Sequence, residues 1–243
     1  MEARSSIIQE RIRQMPEGAV VTFANLSDSN VSAQALAVVV SRLVKQGVLT
    51  RLSKGRYGKP RQTRFGAIQP SDKEVLESIL KPKPNIVAGY VSGIAAYNRL
   101  GLTTQVPNEI LIVGPTSTRQ TKIGKLCLRF VRSSVPITEE TQYLLPLLDA
   151  LRDAKNIPDT KTDEVIIKIQ EKIRQLGPSE KKTLSDIAVT YAPRVRALLG
   201  AIFELLGEEA LAIGLKKALN PISAYSIGLN ELTLANAKQW NIR

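Results

Sequence analysis

Between Ser32 and Gly47 the chain places Leu36, Val39, Val40, Leu43 and Val44 on one face of a helical repeat. Ser32 is a capping residue at the start, and Gly47 suits the left-handed residue that closes a helix. Beyond Gly47 the pattern turns extended. Val48–Leu52 reads as a strand, Ser53-Lys54-Gly55 as a tight turn and Arg56-Tyr57 as a return strand. A one-faced helix running straight into a short hairpin leaves few small folds open.

The residues before that helix narrow the choice. Ile8, Ile12 and Met15 predict a first helix, stopped by Pro16 and Gly18. Val20, Val21 and Phe23 predict a short extended piece, with Thr22 capping a brief second helix through Leu26 and Asp28-Ser29-Asn30 forming a turn. Helix, short helix, helix and basic hairpin is the order of a winged helix-turn-helix.

Charge follows the same division. The chain has 243 residues, no histidine, one cysteine (Cys127) and a formal net charge of +12. Residues 1–64 hold 11 basic and 4 acidic side chains, residues 65–135 hold 9 and 4, and residues 136–243 hold 14 of each. Such an asymmetry suits a polyanion-binding head joined to a neutral body. Without histidine there is no Ser-His-Asp triad and no imidazole ligand, and one cysteine makes neither an internal disulfide nor a Cys-rich zinc site. The first fifteen residues lack the apolar core of a secretory signal, and no apolar run is long enough to span a bilayer, so a cytoplasmic protein with no membrane partner is expected.

Ser71-Asp72-Lys73-Glu74 has capping-box spacing and predicts a helix that Pro82 and Pro84 terminate. Ile86–Tyr90 reads as a strand, Ser92–Leu100 as a helix and Ile110–Val113 as a second strand. A third strand, Lys125–Arg132, carries Leu126, Leu128 and Phe130 on one face and Lys125, Cys127 and Arg129 on a wet, basic one. From Glu139 the pattern is helical: Glu139–Lys155, Thr162–Leu176, Ser179–Thr190, Pro193–Leu206 and Glu208–Leu219. The expected class is α+β and helix-rich. Residues 1–66 form the head, 70–135 a small mixed unit and 136–243 a helical region, the last two able to form one domain.

Catalytic motifs fail on spacing. Gly114-Pro115-Thr116-Ser117-Thr118 comes after a strand, but the next Gly-Lys, Gly124-Lys125, stands too far on for a P-loop. Gly89-Tyr90-Val91-Ser92-Gly93 departs from a nucleophile elbow and has no histidine to serve it. Asp149 with Asp153, and Glu208 with Glu209, read as helix-surface charges. No catalytic residue, metal ligand or cofactor is expected.

The residues that suit nucleic acid lie in the head. Ser32, Gln34, Ser41, Arg42 and Lys45 fall on the outward side of the third helix, with Ala33 and Ala37 small enough to meet thymine methyls. Arg51, Lys54, Arg56, Lys59, Arg61 and Arg64 lie within the next fourteen-residue stretch with no acid among them, the pattern of a phosphate-contacting loop.

Several runs carry a family likeness. Met15-Pro16-Glu17-Gly18-Ala19-Val20-Val21-Thr22-Phe23, Ser41-Arg42-Leu43-Val44-Lys45-Gln46-Gly47-Val48-Leu49 and Gly55-Arg56-Tyr57-Gly58-Lys59-Pro60 resemble the N-terminal winged helix of AbiEi-type antitoxins. Ser92 to Leu102 with Val106-Pro107, Pro193 to Gly200 and Leu219-Asn220-Pro221 are similar to later parts of that family. The resemblance implies an antitoxin of a bacterial two-gene system that represses its own operon by binding double-stranded operator DNA and counters a nucleotidyltransferase-like toxin. It would set Ser32, Gln34, Ser41, Arg42 and Lys45 toward the major groove and Arg51, Lys54 and Arg56 on the wing. An RNA-binding or ribosome-associated protein would explain the charge equally well, although aromatic stacking residues are few, with Phe23, Tyr57 and Phe65 alone in residues 1–70. A regulator without a toxin partner and a carboxylate-dependent phosphotransferase are the remaining readings.

Overall fold

Ser32 caps helix α3 (Ala33–Lys45), its Oγ accepting from the backbone N–H of Ala35 at 3.2 Å. The computed structural model describes residues 2–26, 32–230 and 232–243. The Asp28-Ser29-Asn30 turn lies outside the described residues. By contacts the chain divides into two units: everything up to Ala88 together with Gln120–Leu128, and Gly89–Arg119 together with Arg129–Arg243.

The first unit begins with α1 (Glu2–Gln14), β1 (Val20–Thr22) and α2 (Phe23–Leu26), and continues through α3 to β2 (Thr50–Ser53) and β3 (Arg56–Gly58). The three strands form an antiparallel sheet in the order β1-β3-β2, with Tyr57 opposite both Val21 and Arg51. The register slips between Arg51 and Ser53, a bulge that leaves Leu52 outside the ladder. Ile8 and Ile12 of α1, Leu26, and Leu36, Val39, Val40 and Leu43 of α3 pack with Leu49 into one core. Gly47, at φ +73°, turns the chain out of α3, a conformation that would strain a residue bearing a Cβ.

A second hairpin, β4 (Arg61–Thr63) and β5 (Gly66–Ile68), precedes α4 (Asp72–Leu80). Its strands bury almost nothing, so no apolar alternation announces them in the sequence. Phe65 at its tip is 88% exposed, with the Arg64 guanidinium 4.9 Å from its ring centre. At α4 the capping box forms as the spacing predicts: Glu74 N–H donates to the Ser71 Oγ, and Ser71 N–H donates to Glu74 Oε2 at 2.8 Å.

The second unit holds β6 (Tyr90–Ser92), α5 (Gly93–Arg99) and β7 (Ile110–Gly114). Hairpin strands β8 (Arg119–Ile123) and β9 (Leu126–Arg132) complete the order β6-β7-β9-β8, the distal residues 120–128 counting with the first unit. The rest of the unit is built on helices α6 (Leu145–Asp153), α7 (Thr162–Arg174), α8 (Pro178–Ala188), α9 (Pro193–Leu205) and α10 (Glu209–Lys217). The fold is mixed α and β and rich in helices.

Beyond β4 and β5, three further elements differ from the sequence expectation. The strand expected at Ile86–Tyr90 is instead Tyr90–Ser92, because Asn85 at φ +61° makes a turn closed by a Lys83–Ile86 bridge. The helix expected from Glu139 starts at Leu145, where Pro146 sits in the first turn; proline lacks the N–H and the room to continue a helix from upstream. Strand β8 has four exposed residues in five and so lacks an apolar face to detect.

Asp149 departs furthest from the sequence expectation. It is not a helix-surface charge but is fully buried, because α6 has no wet side there: Leu147, Leu148, Ala150 and Leu151 are buried around it. Four donors converge on its carboxylate. Tyr90 Oη (2.9 Å) and Ser92 Oγ (2.5 Å) donate to Oδ2, while Arg152 (2.7 Å) and Tyr191 Oη (3.2 Å) donate to Oδ1. Asp153, half-buried, accepts from Nε and Nη2 of Arg152 and from the Tyr97 hydroxyl. Burial pushes the hydroxyls of Tyr90, Tyr97 and Tyr191 up, reinforced by the neighbouring carboxylates, so all three stay protonated as donors. For Asp153, burial pulls the carboxyl upward, but hydrogen bonds from Arg152 and Tyr97 outweigh it and hold the group below its ordinary range. Of the other acidic pair, Glu209 is exposed and Glu208 bonds Lys181 at 2.6 Å.

The end of the chain returns to α9. Trp240, 2% exposed in a 3-10 turn, lies over Gly200 and donates from its indole N–H to Glu204 Oε2 at 2.8 Å. A Cβ at position 200 would stand 2.2 Å from the indole ring.

Gly200→Ala should therefore destabilise by about 1–3 kcal/mol through overpacking, read as a lower midpoint in a thermal melt. Asp149→Ala, which strips the Tyr90, Ser92 and Tyr191 hydroxyls of their acceptor while Arg152 keeps Asp153, should lose about 1–3 kcal/mol for each buried donor left unpaired, read in denaturant titration. A folded-state pKa below the ordinary 3.8 for Asp153 makes its contribution present above that pH and lost as pH falls through the folded value. Asp153→Asn should accordingly flatten the acid limb of a stability–pH curve; an unchanged limb would contradict the assignment.

Candidate nucleic-acid interface

Helix α3 turns one stripe to its core and the opposite stripe outward. Gln34, Ala37, Val38, Ser41, Arg42 and Lys45, spaced three and four apart, are all exposed. Five of them, Ala37, Val38, Ser41, Arg42 and Lys45, line a shallow open depression of about 440 Å³. Arg42 and Lys45 occupy the last turn, where cations complement the helix dipole. Ser32 is exposed at the other end with its oxygen committed to the cap. Val38, 60% exposed, gives this stripe an apolar centre absent from the residues singled out in sequence.

The basic residues beyond α3 separate into two groups. Arg51 on β2 and Lys54 in the β2–β3 turn are exposed. Lys59 instead reaches back to the end of α1, its Nζ donating to the carbonyls of Met15 (2.5 Å) and Arg13. These are carbonyls that a helix C-terminus leaves without an intrahelical partner. Arg61 pairs with Glu74, the same carboxylate that completes the α4 capping box. Together with a bond from Ser71, and against the cost of partial burial, Arg61 holds the Glu74 carboxyl below its ordinary range. Arg56 donates to Ser78 Oγ of α4 at 3.2 Å. Three of the six cations thus tie the unit together, while Arg51, Lys54 and Arg64 face water.

The structure brings Gln34, Ser41, Arg42 and Lys45 onto one face, with Arg51 and Lys54 on the next hairpin. It does not bring Arg56, Lys59 and Arg61 into that group. Chemically the face offers amide, hydroxyl and cationic donors over small apolar side chains, and no acid lies between Ser29 and Ser71 to neutralise it. Among the described residues no group of three or more His, Cys, Asp or Glu side chains is placed to hold a metal ion, and no helix is long and apolar enough to cross a membrane.

No curated protein matches the chain. Among solved structures, the crystal structure of the RV2827C protein from Mycobacterium tuberculosis is similar at 16% identity and a TM-score of 0.42, over 92% of this chain and 84% of that one. A family model matches residues 7–184, well over half of the length, and the chain belongs to that family of unknown function, DUF6088.

Proposed function

We propose that this protein binds double-stranded DNA through a winged helix-turn-helix formed by its first 66 residues, and that it acts as the antitoxin and autorepressor of a bacterial toxin–antitoxin operon. The observation that carries the DNA reading is the outward stripe of α3. Gln34 and Ser41 are exposed donors and acceptors, Ala37 and Val38 are small apolar contacts, and Arg42 and Lys45 supply charge on the same face. A helix entering the major groove needs those side-chain types at that spacing. The β2–β3 hairpin adds Arg51 and Lys54 on a short exposed element, where phosphate contacts belong. The antitoxin part rests on the resemblance to the AbiEi-type family, with a cognate nucleotidyltransferase-like toxin as partner and with no chemistry of its own. A gene for such a toxin beside this one supports that part, and a neighbour of unrelated type argues against it.

Binding of the full chain to its own upstream region, to a scrambled duplex and to tRNA tests the reading. The upstream duplex should bind at nanomolar-range affinity with a steep salt dependence. Gln34→Ala should relax preference at one base position, whereas Arg51→Ala with Lys54→Ala should weaken every duplex alike. Lys59→Ala and Arg61→Ala should lower the melting temperature instead, since both side chains hold the fold. Equal affinity for operator and scrambled DNA would sink the repressor, and tRNA competing as well as operator would move the function to RNA.

A further inference from the structure

The bulge between Arg51 and Ser53 leaves the Leu52 carbonyl outside the sheet ladder, and that carbonyl has a partner from far along the chain. Gly124, at φ +59° in the turn between β8 and β9, donates its N–H to Leu52 O at 3.1 Å. Residues 120–128 belong to the first unit, so the bond lies within it. It seats the β8–β9 turn on the outer edge of β2, and the Ile123 side chain beside Gly124 is buried.

Cations flank this bond on both sides. Arg51 adjoins Leu52 and Lys54 stands two residues on; Lys125 adjoins Gly124 and Lys122 stands two residues before it. All four are exposed. Each backbone position is within two residues of the bond, roughly 8 Å of chain. Neither segment brings a carboxylate, since Asp and Glu are absent from 29–71 and from 110–138. Four like charges gathered at an exposed seam repel one another, a cost that a polyanion lying across it offsets. Duplex DNA carries a phosphate every ~3.4 Å of axis along each strand, a dense line of charge that exposed cations on two hairpins joined by one bond can meet.

We propose that Lys122 and Lys125 are phosphate-contacting residues that extend the Arg51–Lys54 hairpin into one continuous backbone clamp for duplex DNA. The assignment rests on the DNA-binding reading and adds to it a second hairpin, inserted from the middle of the chain. It makes the salt dependence of binding a property of both hairpins, and leaves base preference to α3.

Fluorescence anisotropy of a labelled duplex from the upstream region, titrated with full-length protein between about 50 and 200 mM salt, tests the assignment. K122Q/K125Q should bind about tenfold or more weakly at the upper end of that range. Its log–log salt slope should be shallower by about 2, near 0.9 for each lost phosphate contact. K122R/K125R should bind like the unaltered chain. Should the Gln pair melt at a lower temperature, K125Q alone decides, with a slope shallower by about 1 expected. An unchanged slope in these variants, with R51Q/K54Q still weakening binding, overturns the clamp and leaves the DNA-binding function standing. Failure of the unaltered chain to bind any duplex overturns the function and the clamp with it.

Discussion

A carboxylate with no solvent must be met by donors, and Asp149 organises the second unit around that requirement. Its two oxygens take hydrogen bonds from β6, from the next turn of α6 and from Tyr191 just beyond α8. Each donor must arrive with a defined rotamer, which fixes where these segments can lie. Around this polar centre the packing is aliphatic, with Leu145, Leu148 and Leu151 on α6 and Val165, Ile166 and Ile169 on α7. A buried carboxylate with a part-exposed arginine partner adds little net stability over a well-packed apolar substitute, yet removing it leaves buried donors unmet. Its contribution here is to hold β6, α6 and the end of α8 in one arrangement.

In the first unit the same residue types do two kinds of work. Lys59, Arg61 and Arg56 have turned inward to satisfy a helix end, a capping glutamate and a serine of α4, so their charge is spent on the fold. Arg42, Lys45, Arg51 and Lys54 remain on the surface. Net charge alone therefore overstates the interface, and position decides which cations serve a partner.

Much of this was legible in the chain. The α3 stripe, its Ser32 cap, the closing glycine and the Ser71–Glu74 box are local patterns, settled within a few residues of each other. Elements with nothing to bury were not: β4, β5 and β8 are polar and short, and their pairing depends on a partner strand rather than on an internal period. Contacts across long separations were equally hidden. Lys59 meets Met15 across 44 residues and Asp149 meets Tyr90 across 59, distances over which spacing carries no signal. A cue for Asp149 was nonetheless present, because Leu144 to Leu151 is apolar on every side and a charge inside it has no wet face to occupy.

The insertion of residues 120–128 into the first unit makes that unit discontinuous along the chain. A fragment ending near Ala88 would retain all of α3 and both early hairpins, yet leave the Leu52 carbonyl and the edge of β2 open to solvent. Exposed strand edges recruit foreign strands. Limited proteolysis in the stretch between residues 89 and 119 would accordingly nick the molecule without releasing a self-sufficient head, and the two products would stay associated through a piece of sequence that belongs, by contact, to the half from which it has been cut.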